Sequence, residues 1–144
     1  MEVLNEIKYL KNYVEKIYKK NDPAHDFEHI MRVYRNAERI CQSEKANKKL
    51  VLISVLLHDI VKLKEPHSRF LSSSDASAEK SLKILKKLKL DEREIDIISE
   101  AIINHSFTKK KISNTIEGQI LQDADRLDAI GSIGIAGVFC VSGF

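Results

Sequence analysis

A chain of 144 residues, 43% apolar and 31% charged, has the length and balance of one globular domain with a core of its own. Its formal net charge of +3, with no basic stripe interleaved with aromatics, does not point to a nucleic-acid partner. No run of 18 apolar residues is present to suggest a membrane span, and Cys41 and Cys140 form no C-x-x-C that would point to a thiolate zinc site or a disulfide framework.

The N-terminus alternates charged and apolar residues and has no signal-peptide core, so a cytoplasmic location is expected. The pairs Lys19–Lys20, Lys48–Lys49 and Lys86–Lys87 and the run Lys109–Lys111 read as solvated helix faces. Their mild positive field favours an anionic small substrate. Two prolines and five glycines leave the chain free to be helical. No segment alternates apolar and polar residues as a half-buried strand would.

The first predicted helix is Val3–Lys19, with Val3, Leu4, Ile7, Leu10, Val14, Ile17 and Tyr18 at helical spacing. Asn21-Asp22-Pro23 ends it. The second runs from Asp26 to about Glu44. His25 and His29 lie four apart at its start, and Ile30, Val33, Ala37 and Ile40 form its apolar stripe. The third, Lys48–Lys62, reads as buried and carries His58 and Asp59 side by side in its middle. The fourth is predicted from Ser74 to Leu88, capped by Ser74 or Asp75. The fifth opens at Asp91, with Glu94 placed for a capping box, and runs to Asn104-His105. The sixth is Thr115–Ile130, with Ile116, Ile120, Leu121, Ala124, Leu127 and Ile130 apolar. A short seventh is predicted at Gly134–Val141. This is an all-α bundle of six to seven helices.

The chemistry starts from His58-Asp59. An imidazole and a carboxylate among Leu52, Ile53, Val55, Leu56, Leu57, Ile60 and Val61 cost several kcal/mol if left unpaired. A divalent cation would satisfy both; a hydrogen-bonded structural pair is the alternative. The other candidate polar groups are His25, His29, His67 and His105 and the aspartates of D-A-D-R-L-D. Asp125 and Asp128 are three apart on one helix face, and Asp123 points elsewhere. Imidazole plus carboxylate, without sulfur, suits manganese, iron, cobalt, nickel or zinc, with magnesium also admitted.

A histidine, then H-D, then a late aspartate, all on helices, resembles the H…HD…D pattern of the HD-domain superfamily of metal-dependent phosphohydrolases. The stretches H-D-F-E-H at His25–His29 and I-L-Q-D-A-D-R-L-D-A-I-G-S-I-G-I-A at Ile120–Ala136 are close to a bacterial and archaeal subgroup of small HD hydrolases. The resemblance covers about residues 22–138. It implies one divalent ion held by His29, His58, Asp59 and Asp125, with open positions for water and substrate. It also implies metal-activated hydrolysis of a phosphoester or phosphoanhydride in a small phosphorylated compound, most plausibly a nucleotide, by pyrophosphohydrolase-like chemistry.

Around that set, His25, Lys62, His105 and Asp128 are candidate catalytic residues. His25 is placed to orient water or touch phosphate, and Lys62 to neutralise phosphate charge. His105 is placed to bind substrate, protonate a leaving group or help hold a second ion. Asp128 is placed behind the ligands. Arg32, one turn from His29, is the arginine of its helix nearest the site. Arg126 suits an internal salt bridge. His67 and Arg69 lie in a loop that could close over an anion. Several relatives carry an acidic residue one turn after H-D, whereas this chain has Lys62 and Lys64 there, so the general acid or base is unassigned. Similar proteins also continue past G-I-G-I-A with further helices, so residues 1–144 are expected to form a single HD domain that is either a short variant or a fragment. Two rivals stay open: a di-iron HD oxygenase, which needs more histidine ligands, and a non-catalytic module that binds metal or nucleotide without turnover.

Overall fold

Every side chain from Leu50 to Leu57 is buried, so the helix that carries them must be covered on all sides. The computed structural model describes residues 2–21, 26–61, 72–106 and 110–143, with side chains for 5–20, 27–61, 72–106 and 110–130. Among the described residues there are six helices and no strand: α1 (Glu2–Asn21), α2 (Asp26–Cys41), α3 (Lys48–Leu57), α4 (Ser73–Leu85), α5 (Glu92–Asn104) and α6 (Ile116–Gly143). No described helix is long and apolar enough to cross a membrane.

The other five helices all pack against α3. Helix α1 contributes Ile7, Leu10, Val14 and Tyr18, and α2 contributes Ile30, Val33, Tyr34 and Ala37. Both sets follow helical spacing; Tyr34 joins the expected stripe of α2, while Ile17 and Ile40 are only partly buried. Helices α5 and α6 close the other side with Ile98, Ala101 and Ile102 and with Ile120, Leu121 and Ala124. Each large aliphatic side chain so buried contributes about 1.5–3 kcal/mol. The Tyr18 hydroxyl donates to the Leu56 carbonyl at 3.1 Å, tying α1 to the end of α3.

The helix ends correct several sequence expectations. Helix α2 stops at Cys41 rather than near Glu44, and Gln42 and Ser43 donate to the carbonyls of Arg39 and Ile40 in tight three-residue turns. Helix α4 is capped by Ser72, whose hydroxyl accepts from the Asp75 backbone N–H, two residues before Ser74 and three before Asp75, the expected caps. It ends at Leu85, and Lys87 and Leu88 continue as tight turns. Helix α5 has the expected capping box: Glu94 N–H donates to Asp91 Oδ1 at 2.8 Å, and Asp91 N–H to Glu94 Oε1 at 3.1 Å.

The predicted sixth and seventh helices are one, α6; no proline falls between them to break it. Its apolar stripe is shorter than expected, because Leu127 and Ile130 are 51% and 64% exposed. Asp125 lies four residues after buried Leu121, and Asp128 four after buried Ala124. The inward rows of α6 therefore change from apolar to acidic.

Candidate metal centre

The largest difference from the sequence reading concerns His58 and Asp59. Helix α3 ends at Leu57, and His58 is its C-cap, still with helical backbone angles. The pair sits in the turn beyond the helix rather than in its middle. His58 Nδ1 meets the Val55 carbonyl at 2.5 Å. A carbonyl only accepts, so Nδ1 carries a proton, and in the neutral ring Nε2 is the nitrogen whose lone pair is free for another partner. Backbone groups of Val61 on both sides of Ser77 Oγ (3.0 and 3.2 Å) fasten the segment after Asp59 to α4.

Helix α5 ends the same way. His105 is its C-cap, and His105 Nδ1 donates to the Ile102 carbonyl at 2.6 Å. Helix α2 brings His29 in its first turns. There Nδ1 donates to Asp128 Oδ2 at 2.6 Å, and Arg32 Nε donates to the other oxygen of the same carboxylate at 2.6 Å. All three imidazoles are thus committed through Nδ1 and present Nε2.

The Nε2 atoms and two carboxylates converge. His29 Nε2 lies 3.2 Å from Asp125 Oδ1 and 3.8 Å from Asp59 Oδ2. His58 Nε2 lies 3.6 Å from each of those same two oxygens. His105 Nε2 is 3.5 Å from Asp59 Oδ1, on the other edge of that carboxylate. The His58 and His105 rings stand edge to face with centroids 4.8 Å apart. Ligand atoms of His29, His58 and Asp125 lie within 4.8 Å of one another, and so do those of His58, Asp59 and His105.

This donor set fits a divalent ion. His58 is wholly buried and its Nε2 has no hydrogen-bond partner, which is costly for a polar atom that nothing is meant to meet. Ligands about 2.0–2.2 Å from one ion lie roughly 3–3.5 Å from each other; the atoms here, 3.2–3.8 Å apart, need close in by only a few tenths of an ångström.

Charge coupling agrees. Burial pulls His58 down, but Asp59 and Asp125 outweigh it and raise its pKa to about 9. Burial pushes Asp59 and Asp125 up, but the surrounding histidines hold both well below the usual carboxylate range. His29 is raised: burial opposes this, and the Asp125 and Asp128 carboxylates prevail.

The structure therefore brings His29, His58, Asp59, Asp125, His105 and Asp128 to one place, with Arg32 at its edge. His25, Lys62, His67 and the loop arginine Arg69 lie outside the described residues. Two supports were missed in the sequence: the Val55 and Ile102 carbonyls that fix the tautomers. The only hint was a histidine at the end of each apolar helix run.

The HD-domain family model matches residues 26–130. YpgQ of Bacillus subtilis (strain 168) is 34% identical over 143 residues, which are 99% of this chain and 69% of that protein. Among solved structures, the predicted HD superfamily hydrolase from an uncultured Thermotogales bacterium aligns with a TM-score of 0.72 and 37% identity, over 93% of this chain and 74% of that one. The structure of Bacillus subtilis YpgQ in complex with ADP aligns with a TM-score of 0.69 and 29% identity, over 99% of this chain and 68% of that one.

Proposed function

The chain belongs to the HD-domain family, and from that premise we propose that it is a metal-dependent phosphohydrolase that cleaves a phosphoester or phosphoanhydride of a small phosphorylated compound, a nucleotide being the favoured class. The observation that carries this reading is the convergence of His29 Nε2 and His58 Nε2 on Asp59 Oδ2 and Asp125 Oδ1, with His58 Nε2 buried and unpartnered. The ADP complex of YpgQ supports the nucleotide class.

His29, His58, Asp59 and Asp125 hold the ion: manganese, nickel, cobalt, iron, zinc or magnesium. When bound, it supplies Lewis acidity, polarising a phosphoryl oxygen and acidifying water. The residues do the rest. The burial of His58 keeps bulk water from one side of the site. Asp59 divides its oxygens, Oδ2 toward His29 and His58 and Oδ1 toward His105. His105, its Nδ1–H held by Ile102, offers Nε2 to take up a proton at the reacting centre. His25 and Lys62 keep the roles proposed from sequence, orienting water or phosphate and neutralising phosphate charge.

The di-iron oxygenase reading is weaker. The two ligand triads share His58, and one imidazole nitrogen serves one ion.

The test is release of phosphate and pyrophosphate from a nucleotide panel by metal-stripped protein. Manganese, nickel, cobalt, magnesium or no ion is added back, with His58→Ala and Asp125→Ala alongside. Metal-dependent release that both substitutions abolish supports the hydrolase and identifies the leaving group. No release from protein shown to bind the ion overturns catalysis and leaves a binding module.

A further inference from the structure

His29 differs from the other two imidazoles of the site in what holds its Nδ1. His58 and His105 each donate to a neutral backbone carbonyl of their own helix. His29 donates to a carboxylate on a different helix, Asp128 of α6. That carboxylate is largely buried, and its far oxygen is taken by Arg32 Nε at 2.6 Å, with Arg32 Nη2 3.4 Å from the near one. A carboxylate behind an imidazole fixes its tautomer and makes its free nitrogen a stronger donor than a carbonyl does. The arginine keeps the carboxylate ionised and in place.

We propose that Asp128, clamped by Arg32, is a positioning residue that sets the metal affinity of the site through His29. The inference rests on the metal reading above. It places Asp128 behind the site, at Nδ1, rather than at the side where the Nε2 atoms converge. It also gives α2 and α6 a joint task. His29 and Arg32 stand one turn apart on α2, and their two donors span one carboxylate on α6. Any shift between the helices that strains one bond strains both.

The experiment is a titration of the metal-stripped full chain with Co²⁺, read by its visible absorption bands and by competition with a chelator. Asp128→Asn keeps the shape and removes the charge. It is expected to weaken Co²⁺ binding by about 10–100-fold and to shift the cobalt bands, since a ligand nitrogen has changed its donor strength. Arg32→Gln is expected to weaken binding less, and Arg32→Lys to restore part of that loss. Asp123→Asn, exposed on the same helix, is the charge-matched control and is expected to bind as the wild type does. A purely structural role for Asp128 would lower the melting temperature and leave the bands of the bound cobalt unmoved, which would overturn the proposal. Wild-type affinity in a folded Asp128→Asn would overturn it as well. If Asp128→Asn fails to fold, Arg32→Gln decides, because the Arg32 side chain is 46% exposed and its loss leaves the core intact. Wild-type protein that binds no divalent ion would overturn the metal reading and this inference together, whereas wild-type binding with insensitive variants overturns this one only.

Discussion

The Nδ1–H of His58 is donated to the carbonyl of Val55, one turn back in the same helix, at 2.5 Å. That single bond decides what the buried end of the ring can do. It removes Nδ1 from competition, makes Nε2 the nitrogen that gains or loses the second proton, and leaves Nε2 facing Asp59 and Asp125 without a hydrogen-bond partner.

Ion binding is therefore expected to stabilise the fold. At a free concentration of about 100 times Kd, a divalent ion adds about 2.7 kcal/mol. For a chain of this length that raises Tm by about 5–10 °C. Thermal unfolding of the wild type and of His58→Ala, with and without manganese, measures it. The shift is expected to vanish in His58→Ala; an equal shift in both would place the ion elsewhere.

Stripped of ions, the protein is expected to lose stability on the alkaline side. His58 is raised from its ordinary 6.5 to about 9 in the folded state. Its contribution is thus fully present below about pH 6.5 and is lost as pH rises toward 9. Asp59 and Asp125 are lowered, so theirs is present above the usual carboxylate range and is lost as pH falls through and below it. Urea unfolding between pH 4 and 9.5 is expected to be most resistant near pH 5–6. A flat profile from pH 6 to 9 would contradict the coupling of His58 to its carboxylates.

His105 Nε2 lies 3.5 Å from Asp59 Oδ1, the oxygen that His29 and His58 do not face. His105→Ala is expected to lower kcat by about 10²–10⁴-fold. Its metal affinity is expected to change by less than the roughly tenfold loss of an impaired ligand. Steady-state rates and calorimetric titration on one preparation make the comparison. A large loss of affinity would make His105 a ligand instead.

Gly118 lies against the loop that follows α5. A Cβ there would stand 1.9 Å from Ser113 Oγ and 2.6 Å from Ser113 Cβ, and Ser113 is held by Glu100 at 2.6 Å. Gly118→Ala is expected to destabilise by about 1–3 kcal/mol. Adding Ser113→Gly should recover part of this. Denaturant unfolding of the two single variants and the double variant tests the coupling; additive losses would mean the two positions do not collide.

The buried rows of α1 and α2 were legible in the sequence, because each is a regular apolar stripe on an otherwise polar helix. The capping box at Asp91 was legible for the same local reason. The end of α3 was not. The run through Leu57, His58, Asp59 and Ile60 continues its apolar character without a glycine or proline, yet the helix ends where the His58 side chain turns back to the Val55 carbonyl. The outward turn of Leu127 and Ile130 was hidden because hydrophobicity alone does not tell which row of α6 faces in; Asp125 and Asp128 take that row. Asp128 could be placed one turn from Asp125, but its bonds to His29 and Arg32 join residues about a hundred positions apart. Gln122 was passed over altogether. It accepts from Ser113 N–H and donates to the carbonyls of Asn104 and Lys111, a role set by the path of the loop.

Two helices end at this site, α3 at His58 and α5 at His105, and neither has a basic residue in its last turn. The aligned peptide dipoles of each leave roughly half a negative elementary charge at that end, beside Asp59 and Asp125. These helix ends add negative potential to that of the carboxylates, which favours a cation beside Asp59 and Asp125. On the proposed function this would set an order of events: a cation bound first would offset the local negative potential and so favour the later arrival of an anion.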